Sequence, residues 1–228
     1  MRLCWLFYGD AWGFAELSRR RPSDALESLR RVETVVKKLR STHKLVDYLL
    51  LSDSILCVRD VAPDDAAASD CAKLTSAAFE DISIAVQHLI AELSEMDLLL
   101  RGAVTFGSLT REREIIFGEV LLDAAEFEKS TVAPPLAFLP ASTLIKARDR
   151  GGLSNALVSQ NLARSVLIPT KAGGMIRVQP LLGDRPEQLR KRLSSRLDEA
   201  TISASPSPYA AAALKGAIDV VDNVLTGR

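Results

Sequence analysis

The most constraining feature of the sequence is a pair of apolar stretches that each meet an aspartate. Residues 2–8 form a short apolar and aromatic run that leads into Asp10 within the segment YGDAWGF. The segment LLLSDSILCV, residues 49–58, places Asp53 between two further apolar runs. Short apolar runs bounded by turn residues predict buried strands, and the Ser52-Asp53 step predicts a hairpin. Such a chain can bring two carboxylates to one edge of a sheet.

The rest of the sequence alternates helical and strand patterns. Apolar residues at helical spacing predict a helix over 24–40 and a longer one ending near residue 96. Further strands are predicted at 98–109, 114–118, 134–139 and 173–182, a helix of roughly ten residues after Gly118, and C-terminal helices near 186–199 and 208–225. The order β-α-β-β-α-β-β-α-β predicts an α+β fold, with an antiparallel or mixed sheet and helices on one face. We expect one domain over 1–228, with a core over about 1–183 and a helical extension over about 184–228.

Composition excludes several classes of protein. The chain has 228 residues, of which 47% are hydrophobic and 25% are charged, so a packed core is expected. The 29 basic and 29 acidic residues balance, which argues against binding a nucleic-acid polymer. The three cysteines, Cys4, Cys57 and Cys71, have no metal-ligand spacing and indicate a reduced, cytoplasmic protein. No stretch is long and apolar enough to span a bilayer, so no membrane association is expected.

Asp10 and Asp53 together point to a metal and a phosphate. Two neighbouring carboxylates repel and need a counter-charge, which Mg²⁺ supplies while also binding phosphate oxygens. The turn from Ala11 to Phe14 presents successive backbone N–H groups at the start of a helix, which suits phosphates. The combination suits in-line displacement at phosphorus. The alternative is that each aspartate and the glycine serve ordinary turn chemistry.

Four segments resemble a known family. FYGDAWGF resembles the first metal-aspartate segment of class III nucleotidyl cyclases, and LLLSDSILCV resembles the hairpin that carries the second. RGAVTFGSL and IIFGEVLLDAAEFEK are similar to the core that follows, and look closest to the pyrimidine (uridylate or cytidylate) cyclases of Pycsar antiphage systems. The resemblance covers about residues 3–140.

The resemblance implies a ferredoxin-like βαββαβ core and a cyclase reaction. The 3′-hydroxyl of a nucleoside triphosphate would attack its own α-phosphate and release diphosphate, with two Mg²⁺ or Mn²⁺ ions per site. Asp10 and Asp53 would be catalytic and, with Ala11, would hold the metals. Trp12, Gly13 and Phe14 would bind phosphate. The resemblance also implies a head-to-tail homodimer, whose product signals to a separate cyclic-nucleotide-binding effector.

The sequence departs from purine cyclases where those enzymes read the base. Leu49 and Ile115 occupy the places of the purine-reading Lys and Asp, and neither side chain can hydrogen-bond an exocyclic amine. This favours a pyrimidine, with Tyr48 and Arg101 as further candidates for the base pocket. The choice of UTP over CTP is implied by the resemblance alone. A surface role for Arg101 is the alternative.

A second departure concerns turnover. The transition-state Asn and Arg of the family correspond to Leu122 and Glu126 here. Other basic residues could reach the phosphates or lie in solvated turns: Arg111, Arg113, Lys146, Arg148 and Arg150. Two alternatives to a pyrimidine cyclase therefore stay open: a catalytically weak homologue that acts as a nucleotide-binding sensor, and a purine nucleotide cyclase.

Overall fold

A computed structural model of the chain describes residues 1–61, 70–112, 115–132, 134–183, 185–202 and 208–227. The strands are β1 (Arg2–Ala11), β2 (Asp47–Leu51), β3 (Ser54–Asp60), β4 (Leu100–Glu112), β5 (Ile115–Gly118), β6 (Ala137–Pro140), β7 (Val166–Pro169) and β8 (Met175–Leu181). The helices are α1 (Phe14–Arg20), α2 (Pro22–Thr42), α3 (Cys71–Glu95), α4 (Glu119–Ser130), α5 (Ala141–Gly151), α6 (Asn155–Ala163), α7 (Pro186–Ile202) and α8 (Pro208–Thr226).

The strands form one mixed sheet in the order β2-β3-β1-β4-β6-β8-β7, with β5 paired to β4. The β4–β6 pair is parallel, and the other named pairs are antiparallel. β1 lies in the middle between β3 and β4. The predicted α+β class and mixed sheet are therefore confirmed.

The helices divide between the two faces of the sheet, whereas the sequence predicted one covered face. Trp5 and Phe7 belong to a core with α2 and α3, while the alternate residues Cys4 and Leu6 pack with Val120 of α4. Successive strand residues point to opposite faces, and both sets in β1 are apolar. A strand with this composition needs helices on both sides.

Several element boundaries differ from the prediction. α2 begins at Pro22, with a proline in its first turn, rather than at residue 24 as predicted. α3 begins at Cys71, well before the apolar stripe that predicted it. Three elements, α5, α6 and β7, were not predicted from the sequence.

The two C-terminal helices are present close to their predicted positions. Leu189 and Leu193 of α7 join the main core, as do Leu214 and Val221 of α8. The division into a core and a helical extension stays a prediction. Over the described ranges, no helix has the length and apolar character needed to cross a bilayer.

Candidate functional site

The backbone brings Asp10 and Asp53 to the same edge of the sheet. Asp10, near the end of β1, pairs with Ser54 at the start of β3. Asp53 immediately precedes that residue in the two-residue turn between β2 and β3. The Ala11 N–H donates to the Asp53 carbonyl at 3.1 Å, which ties the end of β1 to the turn.

The hairpin turn requires an uncommon backbone conformation. Ser52 has φ of 58°, in the left-handed region, and it is the first of the two turn residues. A positive φ at this position matches a type II′ turn, whose twist suits two antiparallel strands. The tight reversal holds Asp53 beside the end of β1.

Two facing glycines fix β1 against β4 next to Asp10. Gly9 pairs with Gly102, and the next pair along the strands is Asp10 with Arg101. A Cβ atom on Gly102 would lie 2.3 Å from the carbonyl oxygen of Tyr8. Only glycine permits this approach, which sets Asp10 opposite Arg101.

Arg101 forms ion pairs with two carboxylates. Its Nε donates to Asp10 Oδ1 at 3.3 Å, and its Nη2 donates to Asp10 Oδ2 and to Glu128 Oε1, each at 2.9 Å. We call Asp10, Arg101 and Glu128 the Arg101 triad. The side chains are 22%, 25% and 36% exposed, respectively. Burial acts to lower the pKa of the Arg101 guanidinium, but the bonds to Asp10 and the charges of both carboxylates outweigh it and raise that pKa.

The triad carries more negative than positive charge. One guanidinium faces two carboxylates, and Lys171 Nζ reaches only the backbone carbonyl of Glu128, at 3.3 Å. Asp53 lies at the same edge, where its backbone carbonyl accepts from the Ala11 N–H. The arrangement therefore favours a further cation.

The residues at this edge fit a hard divalent ion by their chemistry. Carboxylate and carbonyl oxygens are the ligands that Mg²⁺ and Mn²⁺ prefer, and Asp10, Asp53 and Ala11 offer both kinds. Among the described residues, no group of three or more His, Cys, Asp or Glu side chains could hold a metal by itself. Mg²⁺ usually keeps water or phosphate oxygens as additional ligands, so two protein carboxylates suffice. Both Asp10 oxygens, however, accept bonds from Arg101.

The predicted phosphate-binding turn is only partly available. The Trp12 N–H donates to the Leu99 carbonyl at 2.8 Å, so its amide is already used and the prediction for Trp12 is wrong. Gly13 has φ of 83° and precedes α1, and a Cβ there would meet nothing within 4 Å. The backbone at Gly13 and Phe14 is thus the open part of this turn.

The four predicted base-pocket residues do not share one pocket. Tyr48 is 1% exposed and lies in the core beneath α2, so it cannot contact a base and its assignment is corrected. Leu49 is half-buried and packs on the opposite face, with the α4 cluster. Neighbouring strand residues point in opposite directions, so Tyr48 and Leu49 cannot line one cavity. Ile115 is 63% exposed on β5, and Arg101 is committed to its two carboxylates.

A second polar cluster lies at the other end of α4. Lys146 of α5 contacts Glu119 Oε1 and Asp123 Oδ2, each at 2.6 Å, and Arg150 contacts Glu119 Oε2 at 2.5 Å. We call these four residues the Lys146 cluster. The hydrogen bond from Lys146 is the main cause that lowers the pKa of Glu119 to about 2, with Arg150 assisting and partial burial opposing.

The other candidate phosphate-binding cations have separate partners. Arg111 pairs with Asp47 at 3.2 Å, and Arg148 pairs with Asp149 at 2.8 Å. Arg113 lies outside the described residues. The ion pairs of Arg111 and Arg148 do not involve Asp10, so they give no support to a phosphate role for these two side chains.

α4 borders a cleft of about 590 Å³ against α5 and β8. Glu126 lines this cleft together with Lys146, Thr143 and Arg177. Leu122, at the other position where the family has a transition-state residue, is 72% exposed. Neither Glu128 nor Arg177 was predicted as a site residue. Glu128 lies in the segment IIFGEVLLDAAEFEK that carries the resemblance, but its partner Arg101 is distant in sequence, so no role could be assigned to it.

No family model matches the chain, and no curated protein matches it. Solved structures do resemble it. The guanylyl cyclase domain of the RhoGC fusion protein from the aquatic fungus Blastocladiella emersonii, crystallised as a monomer, is 13% identical, with a TM-score of 0.52 over 79% of this chain and 94% of that chain. The adenylyl cyclase CyaB from P. aeruginosa is 14% identical, with a TM-score of 0.48 over 81% of this chain and 95% of that one. The RhoGC likeness shows that the two proteins share a fold.

Proposed function

We propose that this chain is a nucleotide cyclase that converts a pyrimidine nucleoside triphosphate, UTP in preference to CTP, to its 3′,5′-cyclic nucleotide. The observation that carries this proposal is the meeting of Asp10 and Asp53 at one sheet edge, on a fold shared with a guanylyl cyclase domain. Fold alone does not imply function, so the argument rests on the two carboxylates.

Asp10 and Asp53 would hold the divalent ions, with the Ala11 carbonyl as a further ligand. Mg²⁺ or Mn²⁺ supplies two effects when bound: it lowers the pKa of the attacking hydroxyl and neutralises the departing diphosphate. The open backbone at Gly13 and Phe14 would orient the phosphate chain. The backbone hydrogen bond from Ala11 to Asp53 supports this role, because it brings the two residues to the same edge of the sheet.

The preference for a pyrimidine rests on what Leu49 and Ile115 lack. An apolar side chain at either place leaves the exocyclic groups of a purine without hydrogen bonds. The site therefore does not select a purine over a pyrimidine. Tyr48 is buried and Arg101 is paired, so neither side chain offers the base a free hydrogen-bonding group. By the resemblance, the cyclic product would serve as an antiviral signal to a separate effector.

A homodimer is part of the proposal. The β5–α4 segment exposes three large apolar side chains: Ile115 at 63%, Phe117 at 53% and Leu122 at 72%. Exposed apolar side chains that lie together on one segment mark surfaces that bind other proteins. A second copy of this chain would cover them and complete each site, so Leu122→Lys should convert a dimer to a monomer in light scattering. A wild-type chain that is monomeric at micromolar concentration would contradict this part.

The test of the reaction is a product assay. The purified chain is incubated with Mn²⁺ and each of the four nucleoside triphosphates, and products are identified by mass spectrometry. We expect cyclic UMP as the main product, and its loss in Asp10→Asn and Asp53→Asn. Asp47→Asn is the matched control, because Asp47 is 71% exposed and pairs with Arg111 away from Asp10.

One alternative has support from particular residues. Leu122 and Glu126 cannot replace the transition-state Asn and Arg of the family, which favours a nucleotide-binding sensor with little turnover. Binding of UTP without product from any nucleotide would support the sensor. A cyclic purine product would instead identify a purine cyclase and contradict the base preference.

A further inference from the structure

The Asp10 carboxylate already has a cationic partner on both oxygens. Arg101 binds it through two N–H···O contacts, of 3.3 Å and 2.9 Å, from the neighbouring strand. Paired contacts of this kind are among the stronger ion pairs that arginine makes. A divalent ion that uses Asp10 as a ligand must therefore compete with the guanidinium for the same oxygens.

Arg101 has a second carboxylate within reach. Its Nη2 lies 2.9 Å from Glu128 Oε1 as well as 2.9 Å from Asp10 Oδ2. Glu128 belongs to α4, whereas Asp10 and Arg101 are a cross-strand pair of β1 and β4. If Arg101 leaves Asp10, its charge remains paired, because Glu128 holds it from another element. A half-buried guanidinium without such a partner would be costly.

We propose that Arg101 is an exchangeable counter-ion for Asp10: it neutralises the aspartate in the metal-free chain, and Glu128 retains it when a divalent ion takes its place. The inference rests on the proposed function, since the ion is the one which that reaction needs. Arg101 and Glu128 are positioning residues here, because they act on the metal through Asp10.

Arg101 and Glu128 should have opposite effects on the affinity of Asp10 for the metal. Arg101 lowers the affinity of Asp10 for the metal, because its bonds must break first. Glu128 raises that affinity, because it draws Arg101 away from Asp10. Removing Glu128 should matter only while Arg101 is present, which is the signature of an effect that acts through another residue.

The experiment measures binding of Mn²⁺ alone to the full chain, from the loss of the free-ion signal in electron paramagnetic resonance. Arg101→Gln should tighten binding by about fivefold or more, and Glu128→Gln should weaken it by about fivefold, the range of a typical coupling between sites. In the double variant, the Glu128→Gln change should have no further effect. Arg111→Gln is the control on the same strand, since it removes only the contact with Asp47.

Asp10→Asn separates failure of this inference from failure of the proposed function. If Asp10→Asn binds Mn²⁺ as the wild type does, the metal assignment itself is wrong. If Asp10→Asn loses binding while Arg101→Gln binds no tighter than wild type, Arg101 is not an exchangeable counter-ion and the metal assignment stands. Equal weakening by Glu128→Gln with and without Arg101 would show that Glu128 binds the metal directly. Glu128→Gln keeps the Arg101–Asp10 pair, so it remains informative should Arg101→Gln fail to fold.

Discussion

The two polar clusters at opposite ends of α4 differ in their balance of charge. The Lys146 cluster matches two carboxylates, Glu119 and Asp123, with two cations. The Arg101 triad has two carboxylates around one guanidinium, with Asp53 at the same edge. A balanced cluster joins α4 to α5, while an unbalanced one can accept another cation. The comparison separates ion pairs that hold the fold from carboxylates available for chemistry.

The largest expected effect comes from Gly102, which sets the geometry of the Arg101 triad. In Gly102→Ala, the new Cβ would lie 2.3 Å from the Tyr8 carbonyl oxygen and 2.5 Å from Gly9 Cα, so β1 and β4 must separate. We expect a loss of about 3 kcal/mol in the free energy of unfolding, at the upper end for overpacking. Urea unfolding measures it.

Gly216→Ala is the control for that substitution. Gly216 lies within α8, and a Cβ there meets nothing within 4 Å. Alanine should therefore stabilise the chain by about 0.5 to 1 kcal/mol through its higher helix propensity. A Gly102→Ala protein as stable as wild type would show that the strands can part freely, and the fixed register next to Asp10 would lose its explanation.

The meeting of Asp10 and Asp53 was predictable because each depends on a local pattern. An apolar run that stops at Asp10 predicts a strand end, and apolar runs on both sides of Ser52-Asp53 predict a hairpin. The helix α5 was missed because Lys146 and Arg150 were considered only as phosphate ligands or as residues of solvated turns. They instead face Glu119 of another helix.

The partners of Arg101 could not be predicted from the sequence. Arg101 lies 91 positions from Asp10 and 27 positions from Glu128, so no local pattern links the three residues. Tyr48 shows a different limit. Tyr48 and Leu49 were both predicted for the base pocket, but β2 is covered on both faces: Tyr48 packs in the main core, and Leu49 packs with the α4 cluster.

A smaller loss is expected from the Lys146 cluster. Lys146→Met removes the contacts with Glu119 and Asp123 but leaves Glu119 paired with Arg150. Since these side chains are partly exposed, we expect destabilisation of about 1 kcal/mol. Mn²⁺ binding should be unchanged, because the cluster is separate from Asp10. Lys129→Met, at an exposed position of α4, should change stability by less than about 0.5 kcal/mol. A change in Mn²⁺ affinity in Lys146→Met would join the two clusters functionally and contradict the comparison.

The smallest effect is the dependence of stability on acid through Glu119. Its pKa in the folded chain is about 2, mainly because Lys146 donates to it, against an ordinary value of 4.5. Below the ordinary value, the unfolded chain takes up a proton that the folded chain still refuses, so stability falls as the pH drops from 4.5 towards 2. The side chain is 36% exposed, and solvent screening reduces its share to below about 1 kcal/mol. Urea unfolding at about pH 5.5 and about pH 3.5 should show a smaller loss in Glu119→Gln than in wild type, because the variant lacks this proton uptake. Equal losses in the two proteins would mean that the Lys146 cluster does not hold the Glu119 carboxylate ionised. The Lys146 cluster would then not be the stabilising, charge-balanced counterpart of the Arg101 triad.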